Sequence, residues 1–325
     1  MRFVKPSKQE LELLKGQDII STKNLTREQL ELILNTAAYY EEALKNKRRL
    51  YDMDGKIMSA LFFEPSTRTR LSFEAAMRRL GGSVVSLAET PRVQTSSTAK
   101  GETLHDSIKV IDGYVDVIVI RSPQKGAAVE AADAADRPVI NAGDGEGEHP
   151  TQALLDIYTI IKEHGHIEGL KVALLGDLKY GRTVHSLVYL LKRFGCELIF
   201  VAPQQFMMPP EITEELRNEG VKIKETSDLK EAVAEADVLY VTRIQRERFS
   251  NTEEYENIMD SYIVDENIVA AAKKGMVILH PLPRVNEITK SVDAYEGAAY
   301  FRQAHNGIPI RMALLALVTG NVCLK

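Results

Sequence analysis

Glu64-Pro65-Ser66-Thr67-Arg68-Thr69-Arg70 is the stretch that decides the fold. An apolar, strand-like segment, 57–63, runs into it, and a helix pattern leaves it, with Phe73, Met77 and Leu80 at i, i+4 and i+7. Ser66 is a suitable N-cap, and Gly81-Gly82 is a natural stop. Strand, tight turn and helix N-terminus in that order aim backbone N–H groups at one spot, where the helix dipole favours negative charge. Hydroxyls and two arginines join that spot, and the planar fork of Arg matches a phosphate. A well-capped helix with surface arginines is the plainer alternative. So many phosphate-type groups in one turn favour a site for a dianionic phosphate.

Upstream, residues 26–46 read as a helix capped by Thr26, with Leu30, Ile33, Leu34 and Ala37 in period. Downstream comes a strand at 83–87, then a polar stretch from Thr90 to Gly101. That stretch is either a disordered surface loop or a mobile loop carrying Ser96 and Lys100 to a ligand; spacing does not decide. A helix follows at 102–112, then a buried-type strand at 116–120 ending on Arg121. A charge at the C-terminal end of a parallel strand sits where ligands bind in open α/β sheets, although surface arginines are common there too. A short strand at 138–141 precedes a glycine-rich loop, 143–149, and a helix with Pro150 in its first turn. His149 and Gln152 fall at that helix N-terminus, where His149 either donates to a substrate carbonyl or caps the helix.

The second half restarts the pattern. Strands at 171–176, 197–201, 221–224, 238–241 and 276–280 alternate with helices at 183–194, 211–219, 228–235 and 265–274. This alternation indicates a parallel sheet with helices on both faces. Arginines again stand at strand ends: Arg182, then Arg243 with Gln245, then His280-Pro281-Leu282-Pro283-Arg284, whose prolines stiffen the turn. A final apolar helix covers 307–320. The Gly176–Gly181 turn is not G-x-G-x-x-G, and no Walker-type sequence occurs, so a dinucleotide site is rejected.

A length of 325 residues suggests two domains. Lys+Arg 41 against Asp+Glu 46, without a basic run, disfavours nucleic acid as a partner. No apolar run is long enough to span a membrane, and the polar start has no signal-peptide core. The isolated Cys196 and Cys323 form no zinc-type cluster, and free thiols fit a reducing cytoplasm.

Phe-Phe-Glu-Pro-Ser-Thr-Arg-Thr-Arg resembles the carbamoyl-phosphate signature of the transcarbamoylases, and His-Pro-Thr-Gln at 149–152 is similar to their second shared element. Gly-Asp-Leu-Lys-Tyr-Gly-Arg at 176–182, Thr-Arg-Ile-Gln at 242–245 and His-Pro-Leu-Pro-Arg at 280–284 resemble the aspartate branch. The ornithine branch has a His-Cys-Leu-Pro element instead, and its Ser-Met-Gly element is not found. The resemblance runs in order over nearly the whole chain.

It implies an α/β fold of two doubly wound parallel-sheet domains joined by interdomain helices. A carbamoyl-phosphate domain would span 1–150 plus a returning C-terminal helix, 306–325, and an aspartate domain 151–305. It implies transfer of the carbamoyl group from carbamoyl phosphate to L-aspartate, in pyrimidine synthesis, with no metal and no organic cofactor. Ser66, Thr67, Arg68 and Thr69 would hold the phosphate; Thr69, Arg121 and His149 the carbamoyl oxygen; and Gln152 the carbamoyl NH2. Arg182, Arg243 and Gln245 would take the aspartate carboxylates, with backbone contacts from Leu282 and Pro283. Ser96 and Lys100 would reach into the neighbouring subunit's site of a homotrimer. Whether regulatory chains or a dihydroorotase partner join it stays open. Two rival readings are a carbamoyltransferase for another acceptor, such as ornithine, and a non-catalytic homologue. The cations suited to a dicarboxylic acceptor oppose the first, and the full set of site residues opposes the second.

Overall fold

The computed structural model describes residues 4, 6–88, 100–244 and 262–323. The chain separates into two compact units, Arg2–Leu154 with Asn306–Lys325, and Leu155–His305. Its elements, in order, are α1 (Lys8–Leu11), α2 (Arg27–Lys45), β1 (Ile57–Phe62), α3 (Thr67–Arg79), β2 (Ser83–Ala88), α4 (Leu104–Asp112), β3 (Val117–Ser122), α5 (Ala127–Ala134), β4 (Val139–Asp144), α6 (Pro150–His164), β5 (Lys171–Leu175), α7 (Arg182–Arg193), β6 (Glu197–Val201), α8 (Pro210–Asn218), β7 (Ile223–Thr226), α9 (Leu229–Glu235), β8 (Val238–Val241), α10 (Glu266–Ala271), β9 (Val277–Leu279) and α11 (Tyr300–Val318). The unit boundaries fall inside α6 and α11.

The first unit holds a sheet of order β2-β1-β3-β4 and the second a sheet of order β7-β6-β5-β8-β9. Every strand pair in both is parallel. The inner strands are continuous apolar runs because both faces of a parallel sheet are covered. Thus Val117, Ile118, Val119 and Ile120 of β3, and Val238, Leu239, Tyr240 and Val241 of β8, are all buried. The edge strand β2 is instead largely exposed, Val85 included.

The helices begin where the sequence places caps. Thr26 and Gln29 form a reciprocal capping box at α2, and Thr103 accepts the Asp106 N–H at α4. Several boundaries differ from the sequence reading, and one helix is absent from it. Helix α5 carries no large apolar period; alanines 127, 128, 131 and 134 bury its inner face, and Gly126, at φ +88°, starts it. Strand β3 runs on through Arg121 and Ser122, both buried. Helix α11 starts at Tyr300, a full turn and more before its apolar stretch. Its polar first turns conceal buried bonds: Gln303 accepts the His280 N–H at 2.8 Å and donates to Asp156 at 2.6 Å.

After α11 the chain is tied to its own unit. Asp52 accepts the Tyr40 hydroxyl at 2.9 Å and the Cys323 N–H at 2.7 Å. Burial, with Asp52 beside it, pushes the Tyr40 phenol well above its ordinary pKa. Among the described residues, no helix is long and apolar enough to cross a membrane.

Strands β5 and β8 leave their sheet in close contact at Gly176, whose φ of +115° suits glycine. A Cβ there would stand 2.2 Å from the Thr242 carbonyl oxygen. Gly176→Ala is expected to cost about 3 kcal/mol or more through combined strain and overlap. Denaturant unfolding checks this: an unchanged midpoint would mean the two strand exits do not need their close approach.

Candidate active site

In each sheet the strand order reverses at one place. In the first unit β1 leads outward to β2 while its neighbour β3 leads the other way to β4. In the second, β5 leads to β6 and its neighbour β8 to β9. At such a point the connecting loops part, and a crevice opens at the carboxyl ends of the strands. Among the described residues, most of the sequence-predicted ones stand at or just after the carboxyl ends of strands.

In the first unit, β1 exits through Glu64 and Pro65 into the N-terminus of α3. Ser66 sits at the N-cap with extended backbone, but its side chain makes no capping hydrogen bond. The expected cap is therefore right in position and wrong in use: the helix does not consume the Ser66 hydroxyl. The two arginines of this turn also part company. Arg70 bonds Glu74 at 2.9 Å, one helical turn on, and Glu74 also accepts from Ser86 and Arg78. Burial acts to raise the Glu74 pKa, yet those bonds hold the carboxyl below its ordinary value. Arg68 is the turn's remaining candidate for an anion ligand; desolvation lowers its pKa, and a guanidinium still stays charged at neutral pH. Thr69, one residue on, is buried.

Strand β3 delivers Arg121 opposite Phe62, and the Phe63 N–H donates to its carbonyl at 2.8 Å. The residue is 8% exposed. It donates to Glu64 at 2.7 Å and to the Ala142 carbonyl at 3.2 Å, which holds the guanidinium across the ends of β1, β3 and β4. At the end of β4, Asp144 accepts from the Glu148 N–H, Asn141 and the Gly126 N–H, at 2.8, 3.3 and 3.0 Å. Glu148 in turn takes the Thr22 N–H and hydroxyl, both at 2.8 Å. This fixed loop ends on His149, buried at 5% exposure. The His149 carbonyl accepts the Gln152 and Ala153 N–H groups, so its backbone starts α6. Gln152, in the first turn, is buried as well.

In the second unit, Arg182 is the first residue of α7 and is half-buried, while Arg243 follows β8 and is exposed. Leu282 and Pro283 follow β9, joined by a cis peptide. Arg284, although it stands near a strand end, is neutralised by Asp293 through two bonds of 2.5 and 2.6 Å. Lys100 lies in an exposed turn. Ser96 and Gln245 lie outside the described residues.

Sequence reasoning missed the residues that hold this set: Glu64, Asp144 and Glu148. Glu64 carried a signal, a carboxylate placed among cations, but its partner Arg121 is found only through strand register.

The family described as aspartate/ornithine carbamoyltransferase matches twice, its carbamoyl-P binding domain over residues 17–162 and its Asp/Orn binding domain over residues 168–318. An aspartate carbamoyltransferase catalytic subunit from Thermococcus onnurineus is 53% identical over 306 residues, 94% of this chain and 98% of the relative. The catalytic subunit of M. jannaschii aspartate transcarbamoylase superposes with a TM-score of 0.87 at 50% identity, over 92% of this chain and 97% of that one. Aspartate transcarbamoylase from Trypanosoma cruzi, in complex with carbamoyl aspartate and phosphate, superposes with a TM-score of 0.88 at 43% identity, over 98% and 99%. Matched over both of its halves, the chain belongs to the aspartate/ornithine carbamoyltransferase family.

Proposed function

We propose that this chain is an aspartate carbamoyltransferase. It moves the carbamoyl group of carbamoyl phosphate to the amine of L-aspartate, giving N-carbamoyl-L-aspartate and phosphate for pyrimidine synthesis. The observation that carries this reading is chemical: each unit offers anion-binding groups at its own sheet's crevice. A phosphate-type turn belongs to one, and a pair of arginines suited to two carboxylates to the other. The products held by the Trypanosoma cruzi relative are the two anions this division calls for.

The residue types fit the chemistry. The aspartate amine attacks a carbonyl carbon already activated by its phosphate. What needs stabilising is the tetrahedral oxyanion and the departing phosphate. Thr69, Arg121 and His149 donate to the carbamoyl oxygen. Ser66, Thr67, Arg68 and Thr69, with the N-terminus of α3, take the phosphate. Gln152 meets the carbamoyl NH2, and Leu282 and Pro283 offer backbone contacts. Arg182, Arg243 and Gln245 hold the aspartate carboxylates. Ser66 acts as a ligand here, not as a nucleophile. Arg121 enters the reaction already oriented, because Glu64 and Ala142 fix its guanidinium. The labour is divided between residues 1–150 with 306–325 and residues 151–305.

Phosphate release with aspartate against ornithine tests the reaction; turnover with ornithine alone would overturn it. Arg68→Ala is expected to lose about 3–5 kcal/mol of transition-state binding, roughly 10²- to 10⁴-fold in kcat/KM, with the fold intact. Near wild-type turnover at low carbamoyl phosphate would remove Arg68 from the site. Arg243→Ala is expected to raise the aspartate KM and to leave carbamoyl phosphate binding unchanged in equilibrium titration. Loss of that binding would contradict the division of roles.

We further infer a cytoplasmic homotrimer in which Ser96 and Lys100 complete the neighbour's site. The exposed edge strand β2, with Val85 on it and Leu71 exposed on α3, supports a subunit contact on this unit. A head-to-tail ring joins two different surfaces at every interface. Mixing Arg68→Ala with Lys100→Ala subunits, both inactive alone, then creates junctions at which both residues are intact. Random assembly gives about three quarters hybrids with about one good site in three, so about a quarter of full activity should return. No recovery, with hybrids present on a native gel, would place both residues in one chain's site.

A further inference from the structure

The turn after β9, His280-Pro281-Leu282-Pro283-Arg284, is held by His280 within it and Glu287 just beyond it, neither of which the reaction scheme uses. His280 and Glu287 are both 2% exposed. The Leu282 N–H donates to His280 Nδ1 at 2.7 Å. Nδ1 must then be the unprotonated nitrogen, and Nε2 carries the hydrogen that goes to Glu287 Oε1 at 2.8 Å. The other carboxylate oxygen accepts the N–H groups of Val285 and Asn286, both at 3.1 Å. Burial acts to raise the Glu287 pKa, but the bonds from His280 and the backbone outweigh it, and the group stays ionised.

This arrangement acts on one backbone position. Leu282 has φ +58°, a left-handed conformation that residues with a Cβ avoid. Its N–H is committed to His280, so Leu282 can meet a ligand through its main chain only by its carbonyl, which needs a donor such as a carbamoyl NH2. On the far side of the turn, Arg284 is fixed by Asp293 and by the Tyr300 hydroxyl at 2.9 Å, and lies 5.0 Å over the Tyr300 ring. The turn is clamped at both ends, and only the His280 end bonds Leu282 itself.

We propose that His280 is a positioning residue: its Nδ1 holds Leu282 in the conformation that presents the Leu282 carbonyl to the carbamoyl NH2, and Glu287 selects the tautomer that makes Nδ1 an acceptor. This rests on the carbamoyl-transfer reading, because Leu282 matters only if a carbamoyl group is bound there.

Two isosteres separate the functions of the ring. In His280→Asn, the amide oxygen takes the place of Nδ1 and can still accept from Leu282, but Glu287 loses its donor. In His280→Gln, the amide nitrogen takes the place of Nε2 and still serves Glu287, but Leu282 loses its acceptor. A buried carboxylate oxygen that loses its donor costs more than an unsatisfied N–H, so Gln should be the more stable variant. Positioning predicts the opposite order in activity. His280→Gln is expected to lose roughly 10- to 100-fold in kcat, as reactant misplacement does. Its aspartate KM should stay within about threefold, and His280→Asn should retain most of kcat. The full-length chain would be assayed by phosphate release at saturating aspartate, beside a denaturant titration of each variant. Activity that follows stability, or a Gln variant with wild-type kcat, overturns the proposal. Should the Asn variant not fold, the Gln variant alone decides by its kcat and its unchanged aspartate KM. A wild-type chain that carbamoylates no aspartate overturns the functional reading, and this inference falls with it.

Discussion

In a parallel sheet every strand ends on the same edge, and the rest of this structure depends on that constraint. It puts the residues after β1, β3 and β4 side by side in one unit, and those after β5, β8 and β9 side by side in the other. The sequence distances are long: Glu64 and Arg121 stand 57 residues apart yet bond at 2.7 Å. Register does this work. Phe62 pairs with Arg121, so the next residues of the β1 exit meet the end of β3. A shift by one residue would turn the Arg121 side chain to the opposite face of the sheet.

Gathering cations carries its own difficulty, since like charges repel and a buried charge is costly without partners. The chain meets it by giving carboxylates to the arginines that hold the frame. Arg70 has Glu74, Arg121 has Glu64, and Arg284 has Asp293. Glu64 differs from the other two because its arginine is also a candidate ligand residue. A carboxylate that orients Arg121 also weakens its positive field, so an incoming anion must compete with Glu64 for part of the guanidinium. The second bond, to the Ala142 carbonyl, keeps the group aligned without offsetting its charge.

Much of this was legible in the sequence, for reasons that mark where legibility ends. The strand–turn–helix at 57–79 announces itself because the apolar period changes at Ser66, and the strand-end arginines follow from the βα alternation. Helix α5 was silent because alanines bury a face without a large-residue period. The different fates of Arg68 and Arg70 were half legible: Arg70 stands four residues before Glu74, an ordinary helical ion pair. The unused Ser66 hydroxyl, the Glu64–Arg121 bond and the His280–Leu282 bond were not, because each depends on a backbone angle or a strand register that residue types do not encode. The positions of Arg182 and Arg243 after β5 and β8 were expected; their roles toward a ligand come from charge and family resemblance together.

The choice of acceptor turns on the second unit. The family pattern over residues 168–318 covers domains for aspartate and for ornithine alike, so membership does not select between them. Charge does. Ornithine carries a cationic side chain, and an arginine at the position that side chain must occupy would repel it without relief from proton loss, because a guanidinium does not deprotonate in water-accessible sites. Aspartate brings a second carboxylate, for which the planar fork of Arg is matched in shape as well as in sign. Arg182 and Arg243 open from neighbouring strands of one sheet, which suits two carboxylates separated by a short carbon chain. Gln245, two residues after Arg243 and proposed for the same site, is a neutral residue and brings none of the negative charge that an ornithine side chain would need. On the proposed assignment the discrimination needs no clash: the same cations that would attract the dicarboxylate would repel the cationic side chain of ornithine.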